Sequence, residues 1–176
     1  MNTTKWVIDP THSEISFKVK HMMFTNVSGK FDQYEGSIET EENDFTTAKI
    51  TFAATIDSID TRNSDRDNHL KSADFFDAEN YPKLSFVGKS FSKINENNYE
   101  LVGDLTIKNT TKEVKLPVEF SGLMQDPWRN TKVGLNIEGK INRKEWGLNW
   151  NAALETGGVL VGEEVKLLID LQLVKS

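Results

Sequence analysis

Apolar and polar residues alternate with period two along most of this chain. Between Glu14 and His21, Ile15, Phe17, Val19 and His21 share one side, and Glu14, Ser16, Lys18 and Lys20 take the other. That is the pattern of a strand with one face buried. The rhythm recurs at Ala48, Ile50, Phe52, Ala54 and Ile56, at Tyr99, Leu101, Gly103, Leu105 and Ile107, and at Val114, Leu116, Val118, Phe120, Gly122 and Met124. It returns at Val133, Leu135, Ile137, Gly139, Ile141 and Arg143, and closes at Val165, Leu167, Ile169, Leu171 and Leu173. Weaker strands are expected over 27–39 and 83–89. In the first of these the apolar parity shifts between Phe31 and Tyr34, which predicts a bulge near Asp32 and Gln33.

The total is about eight strands, many longer than the usual length. The connections "TEENDF", "NENN" and "NTTK" are short and polar, so sequential strands pair antiparallel. The expected fold class is all-β: an eight-stranded antiparallel up-and-down β-barrel, which leaves no open sheet edge. A two-sheet sandwich is the runner-up. Pro117 cannot donate to a ladder and is expected at an edge or a local opening. The stretch "NSDRDNHLKSADFFDA" breaks the alternation and predicts a short helical insertion around residues 63–78. There Asn63 or Ser64 is the N-cap, with Asp65 and Asp67 in the first turn. Ser72 and Asp74 could cap a second short turn carrying Phe75 and Phe76, and Tyr81-Pro82 ends it.

The chain has 176 residues and no Pro/Gly/Ser linker, so a single domain over 1–176 is expected. A net charge of -6 argues against nucleic acid or an anionic membrane face as the main partner, though a local basic patch is compatible with it. With no cysteine, disulfides and thiolate chemistry are absent. No apolar run approaches the roughly 20 residues needed to span a bilayer, so no stable membrane insertion is expected. As given, the sequence opens without a leader and points to the cytoplasm, or to the periplasm if a leader has been removed.

Whether the barrel is filled is decided by its inward positions. Gly29, Gly88, Gly103, Gly122 and Gly139 fall on the apolar side with Ala48 and Ala54. Either they leave volume for a ligand or they relieve strain at barrel corners. A cavity lined by Phe17, Val19, Phe52, Ile56, Phe86, Ile107, Leu135 and Ile137 accepts a long apolar chain and rejects charge. His21, at the end of its inward run, is either a satisfied core histidine or a polar hook for a head group. Arg143, followed by Trp146 and Trp150, either stacks on tryptophan as a plug or meets ligand oxygens.

The three histidines lack metal-ligand spacing, so no metal is expected. Asp65 and His69 stand four residues apart, a spacing that serves a surface pair as readily as acid-base chemistry. Gly157-Gly158 lacks the Lys-Ser/Thr of a phosphate cradle and reads as a turn.

The segments "WVIDPTHSEISFKVKHMMFTNVSGKF", "TRNSDRDNHLKSADFFDAENYPKLSF", "GDLTIKNTTKEVKLPV" and "INRKEWGLNW" together closely resemble the YceI-like family of polyisoprenoid-binding proteins. The resemblance implies a lipocalin-like barrel, often dimeric, holding an isoprenoid or other long-chain amphiphile, with no catalysis, cofactor or metal. Its pattern falls on Asp9, His12, Ser13, Phe17, His21, Gly29, Phe31, Thr61, Arg66, Asp67, His69, Leu70, Phe75, Phe76, Tyr81, Pro82, Phe86, Gly103, Leu105, Arg143 and Gly147.

The expected function is non-enzymatic binding, transport or storage of a polyisoprenoid, quinone or fatty-acid-like lipid. Phe31 and Trp146 join the lining, Phe75 and Phe76 form a lid in contact with the ligand, and Arg66, Asp67 and His69 fix the helix against the barrel, with Arg66 and His69 also within reach of the ligand. The alternatives are a hydrolase or isomerase using His21 or His69, and a solid barrel acting through its surface.

Overall fold

The computed structural model describes residues 2–152 and 160–176; the Gly157-Gly158 turn lies outside them. Twelve strand segments and one α-helix make up the described chain. The strands are β1 (Thr3–Ile8), β2 (Glu14–His21), β3 (Thr25–Phe31), β4 (Tyr34–Glu41), β5 (Asp44–Thr55) and β6 (Ile59–Asp60). After α1 (Ser64–Lys71) come β7 (Lys83–Lys93), β8 (Asn98–Ile107), β9 (Thr110–Phe120), β10 (Met124–Gln125), β11 (Thr131–Asn142) and β12 (Val161–Lys175).

The ring β1-β4-β5-β7-β8-β9-β11-β12 closes on itself through the β12–β1 and β11–β12 ladders, giving the expected eight-stranded antiparallel barrel. The extra segments come from interrupted strands. β12 carries β1 along its last residues and β2 along Val161–Asp170, on the same edge, so β1 and β2 form one broken strand. The break is the turn Pro10–His12, capped by Asp9, whose carboxylate accepts from the Thr11 amide at 3.0 Å. β3 and β4 form a second broken strand, divided at Asp32 and Gln33 where the apolar parity shifts. β5 and β6 form a third.

Pro117 marks a local opening. The β9–β11 ladder covers only Val118–Phe120 against Leu135–Ile137, so β9 and β11 part at the proline, which has no N–H to offer there. The turn Arg143–Trp146 packs against β9 in that region, and Trp146 donates from its indole to the Leu105 carbonyl at 2.9 Å.

The inward glycines do not leave open volume one by one. A Cβ at Gly29 would overlap the Phe17 ring, one at Gly103 the Phe86 ring, and one at Gly139 the Leu116 side chain. Each glycine lets a neighbouring strand's large side chain lie across it. Gly122 has a different role: its φ of 78° belongs to the turn after β9.

Candidate functional site

The two halves of the barrel interior differ. At one end Trp6, Phe45, Phe91, Tyr99 and Phe120 stack into a plug, with ring centroids 4.8 to 5.1 Å apart for the closest pairs. Trp6 satisfies its buried N–H on the Thr40 hydroxyl at 3.0 Å. None of these five aromatics lines the space above them. That space is a cavity of about 580 Å³, within the range of roughly 300–1,000 Å³ common for small-molecule sites.

Aliphatic and phenyl groups from most strands form its wall: Phe17 and Val19 from β2, Phe31 from β3, Phe52 from β5 and Phe86 from β7. Ile107 of β8 and Leu135 and Ile137 of β11 also line it, as expected. The wall also uses Ile8, Ile38, Ile50, Leu101, Leu116 and the β12 face Val165, Leu167, Ile169 and Leu171. The period-two pattern had placed most of these inward; sequence alone gave no means of telling which inward positions faced a void and which faced the plug.

Polar groups gather at the other end. Thr61, Asn63, Asp65, Arg66 and His69 border the cavity from the β6–α1 segment, and Lys20 and His21 border it from the end of β2. Past Thr55 and Lys83 the β5–β7 ladder stops, and the chain between β6 and β7 folds over the open end. Asn63 is the N-cap of α1, its side chain accepting from the Arg66 amide at 3.0 Å.

Two neighbouring residues lock the helix to buried Thr61. Asp67 accepts from the Thr61 amide at 2.9 Å and from its hydroxyl, while Arg66 donates to the same hydroxyl at 2.8 Å and to the Thr61 carbonyl at 2.6 Å. Phe75 is buried beneath His69 and Trp150, with centroids at 5.2 and 5.6 Å, and Phe76 meets Phe31 edge-on at 6.3 Å. His69 pairs with Asp74 at 3.0 Å rather than with Asp65, and sets its ring edge-on to Trp150 at 4.5 Å.

Two expected lining residues lie elsewhere, and one expected contact is replaced. Ile56 turns away at the end of β5 and is buried against a satellite cluster of Ile15, Phe31, Ala54 and Ile59, because a short 3-10 turn there breaks the strand's alternation. Trp146 is buried as the filler between β9 and β11. Arg143 does line the cavity, but it does not stack on tryptophan: its guanidinium lies 5.9 Å from the Phe75 centroid. Its N–H groups donate to the carbonyls of Leu148, Trp150, Val161 and Gly162 at 2.5 to 3.2 Å, tying the chain after β11 to the start of β12. Burial lowers its pKa from the ordinary guanidinium value, opposed by nearby Glu163. The family pattern includes Thr61, but its role as the anchor was not legible there, because it depends on partners five and six residues away across a turn.

A protein-family model described as a YceI-like domain matches residues 6–173. A UPF0312 protein of Staphylococcus epidermidis is 47% identical over 164 residues, covering 93% of each chain. Among solved structures, BcnA of Burkholderia cenocepacia superposes with a TM-score of 0.79 at 21% identity, over 94% of this chain and 98% of that one. A polyisoprenoid binding domain from Saccharophagus degradans, implicated in plant cell wall breakdown, superposes at 0.72 with 10% identity, over 97% and 98%.

Proposed function

Because the chain belongs to the YceI-like domain family, we propose that its barrel binds the apolar chain of a long amphiphile, without catalysis, and holds or carries it away from water. The observation that carries this reading is the division of the cavity of about 580 Å³: apart from Ser16 and Thr51 its strand walls are apolar, and the charged and imidazole groups of Lys20, His21, Asp65, Arg66 and His69 gather at the mouth. Such a space takes a hydrocarbon tail inward and leaves a polar head near Arg66, His69 and His21. At about 0.8 kcal/mol per buried methylene, ten methylenes give roughly 8 kcal/mol gross. After association costs this supports micromolar binding or better. The polyisoprenoid binding of the Saccharophagus domain makes prenyl chains the first class to try; quinone tails and fatty acyl chains follow.

The test is native mass spectrometry of protein prepared without detergent, followed by solvent extraction. A stoichiometric adduct identified as a prenyl, quinone or acyl lipid is the expected result. A bare mass that stays bare after incubation with prenyl and acyl lipids would overturn the reading and favour a surface role. The hydrolase alternative draws on the His69–Asp74 pair at the mouth. Ser72, the nearest hydroxyl in sequence, donates to the His69 carbonyl at 2.5 Å and serves as a cap. A His69→Ala variant that still bound lipid but lost turnover of an ester substrate would revive the hydrolase reading.

A further inference from the structure

The β2–β3 hairpin ends in Met22, Met23 and Phe24, which stand at the cavity mouth beside His21 and are 43, 58 and 81% exposed. Three consecutive apolar side chains in water at a turn need an explanation. The turn is closed by the Phe24 amide donating to the His21 carbonyl at 3.3 Å, and both methionines adopt left-handed backbone, φ 52° and 64°. Such positions ordinarily suit Asn and Gly.

The face beneath the tip is basic although the chain is acidic. From Ile15 to Phe31 there are three lysines and no carboxylate, against a net charge of -6 for the whole chain. Lys18 stands directly opposite Lys166, which in turn stands opposite Lys140, so three ammonium groups form one row across β2, β12 and β11. Like charges in register repel. Three nearby acids are taken: Glu164 pairs with Lys140 at 3.5 Å, Glu163 with Lys144 at 2.8 Å and Asp32 with Lys30 at 3.3 Å, which leaves Glu138, diagonal to Lys166, as the acid beside the row. Among the described residues Lys18, Lys20 and Lys166 have no such partner.

We infer that this hairpin is a membrane-docking element: Met22, Met23 and Phe24 insert among the lipids of an anionic bilayer surface while Lys18, Lys20 and Lys166 lie over its head groups. Lys20 is two residues from the turn, about 7 Å along the strand, so it reaches the head-group layer when the tip is immersed. Apolar insertion and basic attraction act together at an interface. Docking here sets the cavity mouth against the bilayer. The inference deepens the lipid-binding reading in purpose, but its observations stand on the outer surface and are tested apart from it.

The experiment is vesicle flotation at low salt with the whole chain. It compares vesicles of about three parts phosphatidylcholine to one part phosphatidylglycerol with vesicles of phosphatidylcholine alone. The wild type is expected to float with the anionic vesicles and to be released as salt screens the lysines. Met22→Asn/Met23→Gly/Phe24→Ser, chosen to suit the left-handed turn, is expected to lower the bound fraction about tenfold or more. Lys18→Gln/Lys166→Gln, which spares Lys20 because that side chain borders the cavity, is expected to weaken the preference for anionic vesicles several-fold. Binding of a soluble fluorescent prenyl probe, measured without vesicles, is expected to be unchanged in both variants. Wild type that stays unbound on both vesicle types, or a tip variant that floats as the wild type does, would overturn the proposal. Equal flotation on both vesicle types, unaffected by the lysine changes, would overturn its electrostatic half. Flotation without any probe binding would leave docking standing and remove the cavity reading instead.

Discussion

Asp9 shows how one side chain shapes the barrel. Its carboxylate accepts from the Thr11 hydroxyl at 2.6 Å and the Thr11 amide at 3.0 Å, and meets His12 Nδ1 at 3.0 Å, so the chain turns sharply before resuming as β2. The Thr11 hydroxyl first, and His12 second, hold the carboxyl at about 2 instead of 3.8. A folded pKa below the ordinary one means that these bonds contribute fully above 3.8 and are lost as pH falls through about 2. In an NMR titration the Asp9 carboxyl is therefore expected to have its midpoint near 2, moving up toward 3.8 in Thr11→Val. An unchanged midpoint in that variant would remove the hydroxyl as the cause. The Asp-Pro-Thr-His run was legible as a feature of the family pattern, but nothing in it announced a strand break: that follows from β12 holding β1 and β2 on one edge.

At the scale of elements, the insertion around residues 63–78 was legible because it lacks alternation and carries its own caps. α1 has no fully buried residue: Leu70 alone is an apolar contact, half-buried against the core, and the helix is held chiefly by its ends. Arg66 and Asp67 fasten one end to Thr61, and Phe75 fastens the other beneath Trp150. Phe75→Asp removes a buried phenyl worth about 1.5–3 kcal/mol while leaving every barrel ladder intact. It is expected to speed release of a bound prenyl probe roughly tenfold to hundredfold, with an unchanged far-ultraviolet circular dichroism spectrum. Unaltered release from a folded variant would show that the segment is not a lid. The pairing of His69 with Asp74 and Trp150 could not be read from spacing, since Trp150 lies on the chain after β11 and meets the helix only in the closed barrel.

The whole molecule joins a solid half to a hollow half. Phe45 packs against Trp6, Phe91 and Phe120 in the solid end and takes no part in the cavity wall. Phe45→Ala is expected to lower unfolding stability by about 3–5 kcal/mol, measured by urea denaturation. Probe affinity of the folded fraction should stay within a factor of about two, since the site is remote. A parallel loss of affinity would show that the plug and the cavity act as one packed unit.

The sequence by itself determined the fold class, the eight-strand count, the site of an irregularity at Asp32 and Gln33, which is a strand break where a bulge was expected, the helical insertion and most of the inward face, because all of these follow from local periodicity and turn chemistry. The tertiary structure decided which inward residues fill the barrel and which line a void, that Ile56 and Trp146 leave the wall, and that Arg143 binds carbonyls instead of a tryptophan. The physical reason is that alternation along a strand gives the direction of a side chain, not its opposite number. Whether Phe17 crosses Gly29, Phe86 crosses Gly103, or five aromatics meet at one end depends on the register between strands far apart in the chain. That register exists only once the barrel has closed.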